Sequence, residues 1–246
     1  MAEVWRSGIT NDGPDSNGGQ VRGVQMTELM EKYSFADALL LTVFGDSFST
    51  GQKRVIEAFL SGMVDHGIGT SSARAARLVA STGADHSAAL AAGLLAAGGP
   101  RHGGAVGKAA AYFEALDKDA TSAEEIVARA IETKERIPGF GHAVMKDGDP
   151  RATMLQQIAE QEGVSGATLA FATAMEAEFE ARKGKKLPLN VDGTFAALLV
   201  DFGIPAEKAG VFFLIARTPG LIAHILEEHE REGKLRRLEY DEYSFE

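Results

Sequence analysis

Cysteine is absent from the 246-residue chain. Disulfides, thiolate zinc sites, iron–sulfur clusters and cysteine nucleophiles are thereby excluded. Long apolar runs are also missing. The richest windows, Leu39–Phe44 and Val211–Ile215, fall well short of the roughly 20 residues a bilayer helix needs. The segment Met1 to Gly23 is polar and glycine-rich and has no apolar core of signal-peptide length, so a cytoplasmic protein without membrane association is expected. Positive charge is scarce: 25 Lys and Arg stand against 35 Asp and Glu, for a formal charge of −10. That balance argues against a general nucleic-acid binder, although a few local cations can hold phosphates on an acidic protein. Several catalytic signatures are lacking too. His224 and His229 are five apart, not the i, i+4 pair of a helical metal site, and no metal site is expected. The Gly98–Gly107 run lacks the strand that a phosphate loop requires. No Gly-x-Ser-x-Gly elbow occurs.

What is present is helical patterning. Apolar residues make up 45% of the chain, an ordinary globular share. Alanine is abundant and favours close-packed helices, while the 28 glycines punctuate them or let backbone approach a ligand. Ser49 and Gln52 form a capping-box pattern ahead of Thr50–Asp65, where Val55, Ile56, Phe59, Leu60 and Met63 share a face. Met26–Tyr33, Phe35–Phe44, Ser71–Ser81, Ala84–Ala97 and His102–Leu116 read as further helices. Ser122 with Glu125 opens another, ending near Arg136 before the breaker Ile137-Pro138-Gly139-Phe140-Gly141. Asp149-Pro150 is an N-cap followed by proline at the first helical position, opening Pro150–Glu162. Ala167–Lys183, Asn190–Asp201 and Ala206–Arg217 follow, with Pro219 kinking or restarting a run to about Glu232. Short β-pieces are admitted near Trp5–Thr10 and Gln20–Gly23, but no strand pairing is evident. The expected fold class is all-α.

Four segments stand out chemically: Asp65-His66-Gly67-Ile68-Gly69-Thr70-Ser71-Ser72, Gly99-Pro100-Arg101-His102-Gly103-Gly104-Ala105, Pro138-Gly139-Phe140-Gly141-His142 running on to Asp149-Pro150-Arg151, and Asn190-Val191-Asp192-Gly193. His142 follows a turn where backbone can approach a ligand, and it titrates near neutrality. His102 sits at an expected helix N-terminus, which disfavours imidazolium; a neutral ring there can donate to a carbonyl or enolate oxygen. Asp192, beside Gly193, can move a proton at carbon. His66, ahead of a Ser/Thr-rich loop and a helix, can bind a carboxylate. Each also has a plainer reading, as a helix cap or a loop histidine. His86, His224 and His229 read as structural or surface residues.

Together the four segments resemble the citrate synthase family. Their order matches: a loop histidine, His-Gly-Gly-Ala, Pro-Gly-Phe-Gly-His-Ala-Val with Asp-Pro-Arg-Ala, then Val-Asp. Arg217-Thr218-Pro219-Gly220 with Ala223-His224 resembles the family's final large helix. The resemblance implies a two-domain helical fold and an intertwined homodimer. Residues 1–105 plus 201–246 would form the large domain and residues 106–200 the small one, which closes over the site to exclude water. Carried over by position, Asp192 would exchange a proton with the acyl methyl carbon. His102 would hold the enolate oxygen, and His142 the oxo or tertiary hydroxyl oxygen. His66, Arg151 and Arg217 would bind carboxylates, which suits the bidentate guanidinium. A partner subunit's tail would supply Arg237, or Arg236 beside it. Pro138, Gly139, Phe140, Gly141 and Lys146 would hold coenzyme A. No permanently bound cofactor or metal is implied; the CoA thioester is substrate.

The chain departs from typical citrate synthases by its shortness, chiefly between Phe44-Gly45 and His66. That feature, the pattern from Gly93 to Ala110, the Asp192-Gly193 pair and the Tyr240-Asp241 tail resemble citryl-CoA lyases and the matching domain of ATP citrate lyase. His102 is instead synthase-like. The leading expectation is cleavage of citryl-CoA to acetyl-CoA and oxaloacetate. A compact citrate or 2-methylcitrate synthase is the alternative, and a non-catalytic CoA-binding dimerisation module stands in a different class.

Overall fold

The computed structural model describes residues 7–13, 17–45, 48–118, 120–141, 148–237 and 244. His142, Lys146, Tyr240 and Asp241 therefore lie outside the described residues. The chain packs as two compact units, Met1–Glu57 and Ala58–Glu246.

In the first unit β1 (Thr10–Asn11), β2 (Gln20–Val21) and β3 (Val24–Gln25) form an antiparallel sheet in that order. This corrects the expectation that no strands pair. Two-residue strands carry no readable alternation, and the signal lies in the turn: Arg22 and Gly23 both take positive φ, 51° and 84°, which suits a two-residue hairpin. The Arg22 guanidinium donates to the Thr42 carbonyl at 3.3 Å. That bond ties the hairpin to α2 (Phe35–Phe44), which follows α1 (Met26–Lys32). Next comes α3 (Thr50–Gly62), opened by the expected reciprocal capping box: Gln52 N–H donates to Ser49 Oγ at 3.2 Å, and Ser49 N–H to Gln52 Oε1 at 2.9 Å.

The second unit holds α4 (Ser71–Ala80), α5 (His86–Ala97), α6 (Gly104–Glu114), α7 (Ala123–Thr133), α8 (Pro150–Gln161), α9 (Ala167–Lys183), α10 (Val191–Asp201) and α11 (Ala206–Glu227). A π-helical turn, Glu228–Glu232, ends α11. The all-α expectation is met. α10 is apolar all round and buried along most of its length, with Phe195, Ala196, Ala197, Leu198 and Leu199 fully enclosed. It packs on α6, α8 and α9, while α11 packs on α4, α5 and α6. Two apolar clusters anchor this unit. One joins Ile126, Val127, Ala130, Ile137, Met175 and Phe179; the other joins Ala76, Ala80, Ala89, Leu221 and Ile225.

α11 differs from expectation in two ways. With its π turn it spans Ala206–Glu232, long and apolar enough by composition to cross a bilayer. The helix is nonetheless a core element, with Phe212, Phe213, Ala216, Arg217 and Leu221 buried. It also continues through Pro219 rather than restarting there. Pro219 has no N–H to give the helical ladder, and the adjacent Gly220 N–H donates to the Val64 carbonyl at 3.0 Å. A side chain at position 220 would collide with that same carbonyl, so glycine is required there.

Candidate active site

The bond from Gly220 draws the loop after α3 onto α11, and this loop carries Asp65 and His66. Gly67 N–H donates to Asp65 Oδ2 at 2.9 Å, and His224 Nε2 lies 3.1 Å from Asp65 Oδ1. Burial alone would raise the Asp65 carboxyl, but the N–H groups of Gly67 and His66, together with His224, hold it below its ordinary value. His66 Nδ1 stands 3.5 Å from the Arg151 Nη1 of α8. His66 and Arg151 are thus brought together as expected.

Arg151 is oriented by Asp149, a residue whose role went beyond the capping function read from sequence. Asp149 is buried and accepts from Arg151 Nε at 3.0 Å and Nη2 at 2.9 Å, a bidentate pair. It also caps α8 through Arg151 N–H and accepts from Val191 N–H at 3.3 Å, at the head of α10. Burial would raise the Asp149 carboxyl; these bonds to Arg151 and Val191 lower it instead.

At that head, Asn190 supplies the cap by accepting from Gly193 N–H at 3.0 Å. Asp192 is therefore not the cap, and its carboxylate is free for other work. Its Oδ1 is buried without a hydrogen-bond partner. Burial raises the group from 3.8 to about 6, Arg151 and Arg217 opposing and Asp149 adding to the shift. The turn Pro138–Gly141 is pressed on the same helix start. Asn190 N–H donates to the Gly139 carbonyl at 2.9 Å, Asn190 Nδ2 to the Gly141 carbonyl at 2.8 Å, and Gly141 N–H to the Pro188 carbonyl at 2.7 Å. Gly139 takes φ 88°, and a Cβ on Gly193 would strike its backbone.

His102 lies two residues before α6 rather than within its first turn. Burial first, then the charges of Arg217 and His66, hold its pKa below the ordinary 6.5, which favours the neutral ring. Its Nε2 meets the Ser72 Oγ of α4 at 2.8 Å. With Ser72 donating, the ring proton sits on Nδ1, the tautomer that can donate to a ligand oxygen. The ring also stands edge-on to Phe213, centroids 5.5 Å apart. Ser72 was quoted in the sequence motif without a role, and only its distance from His102 supplies one.

Arg217 completes the group. It is 2% exposed, stacks over Phe213 at 5.1 Å, and leaves Nε and Nη1 buried without a hydrogen-bond partner. Buried unpaired guanidinium nitrogens of this kind call for an anion. His66, His102, Arg151, Asp192 and Arg217 therefore act on one another electrostatically within one site.

Two features lie outside this group. Arg237 is exposed and, with Arg74, Arg77, Arg236, Ile68 and Ser71, lines a cavity of about 640 Å³ against α4. Arg236 is engaged in a bidentate pair with buried Glu228, at 2.7 and 2.8 Å. A second cavity, of about 430 Å³, borders the Pro138–Gly141 turn and is lined by Phe140, Phe179, Lys134, Arg136 and Lys183 among others.

A family model described as citrate synthase, C-terminal domain, matches residues 18–239. Among solved structures, a citryl-CoA lyase from Hydrogenobacter thermophilus superposes with a TM-score of 0.91 and 38% identity, over 99% of this chain and 96% of that one. An ATP citrate lyase from Methanothrix soehngenii, solved with citrate and coenzyme A, gives 0.88 and 25% identity over 100% of this chain and 42% of that one. Citrate synthase 2 of Bacillus subtilis is 30% identical over 87% of this chain and 58% of its own length. The chain spans about half the length of the curated relatives it matches.

Proposed function

The chain belongs to the citrate synthase family of enzymes, and we propose that it cleaves citryl-CoA to acetyl-CoA and oxaloacetate. The observation that carries the chemistry is Asp192, a carboxyl raised to about 6 and buried beside two arginines. Such a group exchanges protons readily near neutral pH. Arg217, Arg151 and His66 would take the substrate carboxylates. The tertiary hydroxyl gives its proton to a base; His142, which the resemblance places in hydrogen-bonding reach of that oxygen, would take it. The bond between the hydroxyl-bearing carbon and the thioester methylene breaks, and its electron pair moves into the thioester as an enolate. His102 holds the enolate oxygen. Asp192 delivers its proton to the methylene carbon, completing acetyl-CoA, while the other fragment leaves as oxaloacetate.

Cleavage is supported by correspondence with a citryl-CoA lyase along nearly the full length of both chains. The synthetic direction, citrate or 2-methylcitrate formation, has its own support in the neutral, Ser72-bound His102 and in the synthase relative. CoA would lie along Pro138–Gly141. Lys134, Arg136 and Lys183 outnumber Glu135 around the 430 Å³ cavity, a balance that suits its phosphates, and the resemblance assigns Lys146 to CoA phosphates as well. Residues 106–200 would form the closing domain, consistent with an apolar cluster contained wholly within that span. The functional assembly would be a homodimer in which Arg237 serves the partner's site.

Asp192→Asn tests the chemistry. It should abolish cleavage while sparing CoA binding; retained turnover would remove Asp192 from the mechanism. A mixed dimer of Arg237→Ala and Asp192→Asn chains should regain part of the activity, and no recovery would refute the shared site.

A further inference from the structure

His224 read from sequence as a structural or surface residue, yet it touches the site through Asp65. We propose that His224 is a positioning residue that keeps the Asp65 carboxylate off Arg217, so that the guanidinium stays open to a substrate carboxylate. The inference rests on the reading of Arg217 as a carboxylate ligand.

Arg217 Nε and Nη1 are buried and make no hydrogen bond. An anion of the protein itself stands close to Nη1: Asp65 Oδ1 is 4.0 Å away, beyond hydrogen-bonding distance. A shift of about 1 Å would close that gap to an ordinary charge-assisted bond. Packing does not prevent the shift, because the Asp65 side chain is 42% exposed. Hydrogen bonds do. A carboxylate only accepts, so His224 donates through Nε2–H to Oδ1 at 3.1 Å, while Gly67 N–H occupies Oδ2 at 2.9 Å. His224 lies seven residues beyond Arg217 on α11, two turns along the same face. Between them the Gly220 N–H holds Val64, the residue before Asp65. Two bonds, from Gly220 and His224, therefore fix this loop relative to Arg217, and the one from Gly67 holds the carboxylate within the loop. Only the one from His224 fixes the oxygen that would otherwise compete with substrate.

The arrangement predicts an epistasis that a purely structural role for His224 would not produce. Citrate binding to the purified full chain is measured by isothermal titration calorimetry. His224→Ala should weaken it about tenfold, the scale of one competing hydrogen bond between charged groups. Adding Asp65→Asn should restore affinity to within about threefold of the parent, because the amide keeps the acceptor for Gly67 but lacks the competing charge. His224→Gln, which retains an N–H donor, should bind like the parent. His224→Asn, too short to reach Oδ1, replaces the alanine variant if that one does not fold. Unchanged affinity in His224→Ala, or a loss that Asp65→Asn does not relieve, would overturn the proposal while leaving Arg217 as a carboxylate ligand. Absence of citrate binding by the parent would overturn the carboxylate reading of Arg217 and this proposal with it.

Discussion

The Asp192 carboxyl is raised from 3.8 to about 6 chiefly by burial, which Arg151 and Arg217 offset only in part. Its folded value lies above its unfolded one, so ionisation costs the folded state. The cost is nil below about pH 4, grows between 4 and 6, and is complete above 6, at about 3 kcal/mol. Asp192→Asn is therefore expected to unfold at higher urea than the parent at pH 8, by up to that amount, with the advantage gone near pH 4. Equal stability at both values would contradict the burial argument. The same titration governs catalysis. Cleavage uses the protonated acid, so its turnover number should fall as pH rises above 6, while any condensation should fall as pH drops below 6. A cleavage rate that climbs through that range would assign the acid elsewhere. Asp149→Ala should cost about 3 kcal/mol by stranding Arg151 and removing the α8 cap, and should weaken citrate binding. Asp192, His66, Arg151, His102 and Arg217 were all legible as residues, because each sits in a short distinctive motif. The partners that orient them were not: Ser72 reaches His102 across 30 residues and Asp149 reaches Val191 across 42, distances that leave no local pattern.

The contact of Gly139 with Gly193 joins a turn to a helix start with no side chain between them. Gly193→Ala should force the two apart. An expected loss of about 1–3 kcal/mol would be accompanied by weakened CoA binding if the turn lines that ligand, both measurable by thermal shift with and without CoA. Normal stability and CoA affinity would show that the turn tolerates displacement. Helix starts were well read where capping chemistry marks them, as at Ser49–Gln52, Ser122–Glu125 and Asp149-Pro150. The short β-pieces near Thr10 and Gln20 were read, but their pairing into a three-stranded sheet was missed because strands of two residues carry no period. Of the two effects expected of Pro219, a kink or a restart, the restart does not occur, and a contact from another segment, Val64, takes up the adjacent Gly220 N–H. The expected apolar limit of α11 was too short for a related reason: Arg217 interrupts the run in sequence, but its charge is turned into the site.

At the scale of the molecule, order along the chain was the most informative feature. Four motifs far apart in sequence converge where α4, α6, α8, α10 and α11 meet, and the family match spans residues 18–239. Family and all-helical class were therefore accessible before any coordinates. Direction of reaction was not, since one constellation serves both making and breaking the bond. The decisive measurement is a paired assay on the purified protein. One arm supplies citryl-CoA and follows oxaloacetate through malate dehydrogenase; the other supplies acetyl-CoA with oxaloacetate and follows free CoA thiol. The account predicts fast oxaloacetate release in the first and little thiol in the second. Rapid thiol release with citrate accumulating would contradict it and make the protein a small citrate synthase.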